Sequence, residues 1–166
     1  MLASYDNARV RDAICALKFE RDQHALELLS QLLNDALMEQ LADEVLFGRR
    51  LVAVPIPLGN RRMASRGMNQ VLAILEHTEL ARSDKLLIIP ALIRTRDTLQ
   101  QSTLPRERRI ENVRDAFAIV PKHRDALRGA TALIIDDVAT TGATLSAAAE
   151  ALEKEGVRVE LLALAG

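Results

Sequence analysis

The sequence predicts a single α/β domain with a largely parallel sheet and helices on both of its faces. The clearest support comes from the end of the chain, where apolar runs at 131–135 and 157–163 predict two buried strands. Between them, 145–154 has the apolar spacing of a helix, and Gly156 is a candidate C-cap. Two such strands joined by a helix form a right-handed βαβ unit by default.

The rest of the chain begins with helices and then alternates strands with helices. Apolar residues at helical spacing predict amphipathic helices over 8–19 and 22–41, whose apolar faces would cover a core. The run LVAVPIP at 51–57 predicts a buried strand that ends in a loop at its prolines. Weaker patterns predict a helix over 69–80, a strand over 86–89, a loop over 95–103, a short helix over 105–113 and a short strand over 116–120.

Composition narrows the class of protein. The 166 residues suit one domain, and the formal net charge of -1 supplies no overall argument for nucleic-acid binding. The single cysteine, Cys15, excludes an internal disulfide and a Cys-rich zinc site, and it is expected to be a small buried thiol on a helix. No apolar run is long enough to span a bilayer, and the first residues are too polar for a signal peptide, so a cytoplasmic location is expected.

One segment combines several features that suit a bound ligand. The strand at 131–135 delivers Asp136 and Asp137 at its carboxyl end, which is the edge where such sheets bind ligands. A loop rich in Thr follows, in which Gly142 permits a tight turn, and the next helix begins with unpaired N–H groups that suit a phosphate. Carboxylates accept hydrogen bonds from a sugar diol or hold Mg²⁺. The combination therefore predicts a site for a ribose 5-phosphate.

Each of these features alone also has a simpler interpretation. An acid pair at a strand end can mark a solvated turn, and Thr144 can act as the N-cap of the helix. A receiver-type phosphoacceptor domain also clusters aspartates at strand ends, although it does not need the Thr/Gly loop. The sequence contains neither a Walker phosphate loop nor the G-x-G-x-x-G dinucleotide fingerprint. Strand, acid pair, loop and helix together favour the sugar-phosphate site.

The segment LIIDDVATTGAT at 133–144 resembles the motif that binds phosphoribosyl pyrophosphate (PRPP) in type I phosphoribosyltransferases. The VPIP strand end at 54–57 and the block RGMNQ at 66–70 resemble the ComF family, also called the ComFC/GntX group. The resemblance covers nearly the whole chain in order. Its other matching positions are Tyr5, Leu17, Lys18, Phe19, Arg61, Arg62, Arg94 to Thr98, Gln101, Leu104, Arg108, Arg109, Asn112, Ala116 and Phe117.

The resemblance implies a type I phosphoribosyltransferase-like fold, with a helical hood at 1–45 and an α/β core at 46–166. It also implies that Asp136 and Asp137 face the ribose hydroxyls and Mg²⁺. The implied contacts to the 5-phosphate are Ala139, Thr140, Thr141, Gly142, Ala143 and Thr144. The implied contacts to pyrophosphate are Leu58, Gly59, Asn60, Arg61 and Arg62, and a mobile loop closing over PRPP would involve Arg94, Arg96 and Gln101. Many family members begin with a Cys-rich zinc module, which this sequence does not contain.

The implied activity is transfer of ribose 5-phosphate from PRPP, with Mg²⁺, to an acceptor that the sequence does not identify. No catalytic base can be named, and Lys18, His24, His77 and His123 are expected to lie on the surface. The resemblance also implies a role in natural transformation and DNA uptake. This leaves an alternative, a non-catalytic protein that senses PRPP or binds single-stranded DNA. Its groove could be lined by the arginines between 94 and 114 and by an arginine stretch without acids. That stretch contains Arg49, Arg50, Arg61, Arg62 and Arg66, of which Arg49, Arg50 and Arg62 also fit plain surface positions.

Overall fold

A parallel sheet lies at the centre of the protein. The computed structural model describes residues 2, 7–83, 85–96, 113 and 115–166. Within them the main sheet has four parallel strands, namely β1 at Arg50–Pro55, β2 at Leu87–Ile88, β5 at Ala130–Val138 and β6 at Arg158–Ala165. Their order across the sheet is β2-β1-β5-β6.

Two further strands form a small antiparallel pair beside the sheet. They are β3 at Leu92–Arg94 and β4 at Phe117–Ile119. The predicted strand over 116–120 is thus confirmed. Its partner, β3, was not predicted, because three residues are too few to show an alternating pattern.

Helices cover both faces of the sheet. They are α1 at Ala8–Phe19, α2 at Gln23–Leu46, α3 at Asn60–Arg66, α4 at Gln70–His77, α5 at Glu79–Arg82, α6 at Arg124–Leu127 and α7 at Ala143–Glu153. The helix predicted over 69–80 is two helices, since Thr78 ends α4 and its hydroxyl caps α5. The helix predicted over 105–113 and most of the loop over 95–103 lie outside the described residues.

Alternating residues of the central strands serve two separate cores. Leu51 and Leu133 point to one face, where they pack in a cluster with α1, α2 and α4. Val52 and Ile134 point to the other face, where they pack against α7 and the β3–β4 pair. This alternation is the ordinary consequence of the two-residue period of a strand. The N-terminal helices α1 and α2 therefore contribute directly to the core of the sheet.

The prediction that Cys15 is a buried thiol is wrong. The thiol is exposed, whereas Val10, Ile14 and Leu17 on the same helix are buried. Because successive residues of a helix are about 100° apart, a side chain next to Ile14 can lie off the buried stripe.

The chain reverses its direction of winding between β1 and β5. The connection after β1 leads to β2 on one side, and the connection after β5 leads to β6 on the other side. Such a switch point opens a crevice beyond the carboxyl ends of the two central strands. The register pairs Pro55 with Ile135, so the loop after β1 and the acid pair after Ile135 lie at this crevice.

Candidate functional site

Asp136 and Asp137 are the last polar residues of β5 and are half-buried. The backbone N–H of Asp137 donates to Oδ1 of Asp136 at 2.9 Å, which orients the first carboxylate. Burial, and then the neighbouring charge of Asp137, raise the pKa of Asp136 to about 7. The structure thus brings the predicted acid pair together at the switch point.

Lys18, which the sequence predicts on the surface, lies beside the acid pair. Its Nζ lies 2.6 Å from Oδ2 of Asp137, and the two side chains are only 16% and 17% exposed. The last turn of α1 therefore reaches the carboxyl edge of the sheet. The signal was present in the LKF block of the family resemblance, but helical periodicity alone does not show what a lysine contacts.

Arg94 supplies a second cation beside the acid pair. Its Nε donates to the carbonyl oxygen of Pro57 at 2.9 Å, and its guanidinium lies 4.7 Å from the ring centroid of Phe117. The positive charge also opposes the raised pKa of Asp136. Arg94 ends β3 rather than lying in a loop. Its predicted partners in a mobile loop are Arg96, which is exposed in the described part, and Gln101, which lies outside the described residues.

The loop after β5 leads directly into α7. Gly142 is the N-cap of this helix and has a φ of 70°, a conformation that a glycine adopts without strain. Thr144 is therefore not the N-cap, which removes the simpler interpretation of that residue. Thr141 Oγ1 accepts a long hydrogen bond of 3.4 Å from the N–H of Ala143. Thr141 and Ala143 also line a cleft of about 430 Å³.

Ala139 differs from the other residues expected to hold the phosphate. Its backbone N–H donates to the carbonyl oxygen of Ala165 at 2.8 Å and so joins the ends of β5 and β6. This amide is already used by the sheet, so Ala139 cannot offer its N–H to a ligand without breaking that bond. The candidate phosphate donors accordingly lie later, in the first turn of α7 and the threonine hydroxyls before it.

The residues expected to contact pyrophosphate follow β1. Leu58 and Gly59 lie in the short connection, whereas Asn60, Arg61 and Arg62 form the first turn of α3. Asn60 and Arg61 are exposed, and Arg62 is half-buried. The two connections, after β1 and after β5, thus leave neighbouring parallel strands at the same edge.

The block RGMNQ links α3 to α4 and is held from two directions. Asn69 Nδ2 donates to the carbonyl oxygen of Ile56 at 2.8 Å, and Arg66 Nη1 donates to Gln70 Oε1 at 3.2 Å. Arg21, which lies in the turn between α1 and α2, donates from Nη2 to the carbonyl oxygen of Arg66 at 2.7 Å. Gly67 has a φ of 73° and lies directly beneath this guanidinium. These contacts fix the position of α3 relative to β1.

The arginine stretch does not form one surface. Arg49 makes a two-point ion pair with the buried Glu44, and Arg50 Nη2 donates to the carbonyl oxygen of Ala126. Both lie at the amino end of β1, whereas Arg61 and Arg62 lie beyond its carboxyl end. A strand of this length spans roughly 16 Å at about 3.3 Å per residue. The five arginines therefore lie at both ends of β1, and Arg49 is already paired with Glu44.

The donor set at the acid pair fits Mg²⁺. Carboxylate oxygens are the ligands that this ion prefers, and it commonly keeps several water or substrate oxygens. Within the described ranges, no group of three or more His, Cys, Asp or Glu side chains comes together. Asp136 and Asp137 would therefore hold the ion together with ligand oxygens rather than in a protein cage.

No helix in the described part of the chain is long and apolar enough to cross a membrane.

A parallel α/β sheet with an acid pair and a glycine-capped helix at the switch point agrees with the type I phosphoribosyltransferase class. The family model for the phosphoribosyl transferase domain matches residues 36–166. The DNA utilization protein YhgH of Escherichia coli O6:H1 (strain CFT073) is 33% identical over 146 residues, which cover 84% of this chain and 59% of YhgH. The chain belongs to the phosphoribosyltransferase family and, within it, to the ComF group. It spans about three fifths of the length of that relative.

Proposed function

We propose that the chain binds PRPP with Mg²⁺ and transfers its ribose 5-phosphate to an acceptor nucleophile. The observation that carries the proposal is the meeting of Asp136 and Asp137 with the start of α7 at the carboxyl edge of the sheet. A ribose 5-phosphate has hydroxyls and a phosphate that match these two features. The family membership supports the same donor class.

Each part of the site has a distinct role in this proposal. The acid pair accepts hydrogen bonds from the ribose hydroxyls, and the first turn of α7 with the hydroxyls of Thr140, Thr141 and Thr144 holds the 5-phosphate. Arg61 and Arg62 offer guanidinium groups to the pyrophosphate. Mg²⁺, when bound with PRPP, lowers the negative charge of the pyrophosphate and orients it.

The proposed reaction is a substitution at C1 of the ribose. The bond between C1 and the pyrophosphate oxygen breaks through an oxocarbenium-like state, and the pyrophosphate leaves with the electron pair. The acceptor nucleophile then forms the new bond to C1 and loses its proton to a base or to water. The carboxylates of the acid pair stabilise the developing positive charge, and positioning of the two ends of the donor supplies much of the rate.

The name of the relative YhgH supports a link between this chemistry and DNA utilization. The acceptor would then belong to the products or the handling of DNA. Direct binding of single-stranded DNA along the arginine stretch is the weaker alternative, because Arg49 is paired with Glu44 and Arg50 donates to the carbonyl oxygen of Ala126. An enzyme that binds PRPP is therefore the function that we propose.

Thermal unfolding with added ligands tests the proposal. We expect PRPP with Mg²⁺ to raise the melting temperature of the wild-type protein, with a smaller rise for ribose 5-phosphate. The double variant Asp136→Asn/Asp137→Asn should lose the effect, whereas Asp125→Asn, which changes an exposed aspartate on α6, should keep it. Absence of any shift with phosphorylated ribose compounds contradicts the proposal.

A second measurement separates the DNA-binding alternative. Fluorescence anisotropy with a labelled single-stranded oligonucleotide, at increasing salt, reports how many phosphates the protein neutralises. We expect weak binding. Tight binding that weakens steeply with salt, together with no response to PRPP, would favour the alternative.

A further inference from the structure

We propose that Lys18 is a positioning residue of the ligand site, which holds Asp137 in place for the 2-hydroxyl of a ribose phosphate. The inference rests on the proposed function and adds a residue to it. It starts from the ion pair between Lys18 Nζ and Asp137 Oδ2 at 2.6 Å.

The burial of this ion pair distinguishes it from the others. Both side chains are less than one fifth exposed, whereas every other ion pair between described residues has at least one side chain that is 31% exposed or more. Removing two charges from water costs free energy, which a surface pair does not incur. A buried pair at a ligand-binding edge is therefore expected to serve the geometry of the site rather than stability alone.

The position of Lys18 follows from the packing of α1. Leu17 and Ile14 are buried in the core beneath the helix, and the turn after α1 is tied to α3 through Arg21. These contacts bring the last turn of α1 over the carboxyl edge of the sheet. A lysine in a last helical turn also interacts favourably with the helix dipole, which is the structural role that the test must separate from positioning.

The charge balance explains why a polyanionic ligand can approach two carboxylates. Lys18 lies against Asp137, and Arg94 is the second cation near the pair, where its charge acts on Asp136. Both cations therefore offset part of the negative charge that the two carboxylates present to the ligand. Lys18 holds one oxygen of Asp137 and so fixes the orientation of the carboxylate. The other oxygen can then accept a hydrogen bond from a sugar hydroxyl.

Comparison of two sugar phosphates tests the positioning role. Ribose 5-phosphate and 2-deoxyribose 5-phosphate share the phosphate but differ in the 2-hydroxyl, so their affinity ratio reports on the hydroxyl contact. Isothermal titration calorimetry should show that the wild-type protein prefers ribose 5-phosphate by about tenfold. Lys18→Met and Lys18→Gln should lose most of this preference, and Lys18→Arg should keep it. Lys122→Met, which changes an exposed lysine, is the control.

The outcomes separate this inference from the proposed function. A wild-type protein that binds neither sugar phosphate overturns both. A wild-type protein that binds with preference, together with an unchanged affinity ratio in Lys18→Met and Lys18→Gln, overturns the inference alone. An equal loss of affinity for both sugar phosphates in these variants also overturns it, because a general charge or folding effect does not depend on the 2-hydroxyl. Glutamine is uncharged and shorter than lysine but still polar, so Lys18→Gln keeps the test available if Lys18→Met does not fold.

Discussion

Asn69 joins the start of α4 to the end of β1. Its Nδ2 donates to the carbonyl oxygen of Ile56 at 2.8 Å, while its Oδ1 accepts from the N–H of Leu72 at 3.2 Å. One side chain therefore caps α4 and also hydrogen-bonds the carbonyl of the first residue after β1. The bond fixes the direction in which the chain leaves β1 toward the residues expected to hold pyrophosphate.

Substitutions at Asn69 should separate its two bonds. Asn69→Ala loses both, and we expect a loss of about 2 kcal/mol in the free energy of unfolding. Asn69→Asp keeps the cap acceptor but cannot donate to Ile56, so about half of that loss is expected. Asn7→Ala removes a comparable cap from α1 and measures the cap alone. Denaturant titration gives the values, and equal stability of Asn69→Asp and wild type would show that the bond to Ile56 contributes nothing.

Two glycines offer a matched pair for the phosphate loop. Gly142 and Gly156 have φ values of 70° and 75°, and an added Cβ would meet nothing within 4 Å at either position. Alanine should therefore cost about 1 kcal/mol of stability at each, from backbone strain alone. Only Gly142→Ala should weaken binding of ribose 5-phosphate, because only this glycine shapes the start of α7. Equal affinity of the two variants in calorimetry would contradict the role of the loop.

Glu44 is a buried carboxylate at the opposite end of the sheet. It is 2% exposed and accepts two hydrogen bonds of 2.8 Å from Arg49 and one from the hydroxyl of Thr131. The bonds from Arg49 lower the pKa of Glu44 from 4.5 to about 2, against the opposing effect of burial. The folded state therefore favours the ionised carboxylate. The resulting stabilisation is complete above pH 4.5 and is lost as the pH falls toward 2.

Replacement of Glu44 should accordingly change the acid unfolding profile. Glu44→Gln is expected to lower the free energy of unfolding at pH 7 by about 2 kcal/mol, since Arg49 loses its charged partner but stays partly exposed to water. The difference from wild type should shrink between pH 4.5 and pH 2. Glu153→Gln, at an exposed position of α7, is the control. A difference that stays constant down to pH 2 would assign the effect to packing rather than to charge.

Arg94 should affect both stability and binding. Arg94→Lys keeps the charge but loses the planar contact with Phe117 and the Nε bond to Pro57, and we expect a cost of about 1 kcal/mol. Arg94→Met should also weaken binding of ribose 5-phosphate, because the acid pair then loses one of its neighbouring cations. Arg124→Met, which removes an exposed partner of Glu155, serves as the control in melting and calorimetry. Unchanged affinity in Arg94→Met would exclude this electrostatic role.

Much of the candidate site could be predicted from local sequence. The apolar run before Asp136, the acid pair, Gly142 and the following helical spacing all lie within one continuous segment. Strand and helix periods act over a few residues, so a single sequence displays them directly. The predicted helices over 8–19 and 145–154 correspond to α1 and α7 for the same reason.

The contacts between distant segments could not be predicted in this way. The sequence predicts Lys18 on the surface, because a helical pattern shows only which face of the helix is apolar and not which element lies at the end of the helix. The arginine stretch looked continuous along the chain, but β1 carries Arg49 and Arg61 to opposite ends of the sheet. The β3–β4 pair and the exposure of Cys15 likewise depend on neighbours that are remote in sequence.

The sequence alone determined the α/β class, the acid pair at a strand end and the glycine that begins the last helix, because each follows from short-range spacing and backbone preference. Only the tertiary structure decided that Lys18 faces Asp137, that Arg94 bridges to Pro57, and that the switch point falls between β1 and β5. These relationships arise when separately formed elements pack their apolar faces together. That packing sets which polar side chains meet at the edge of the sheet.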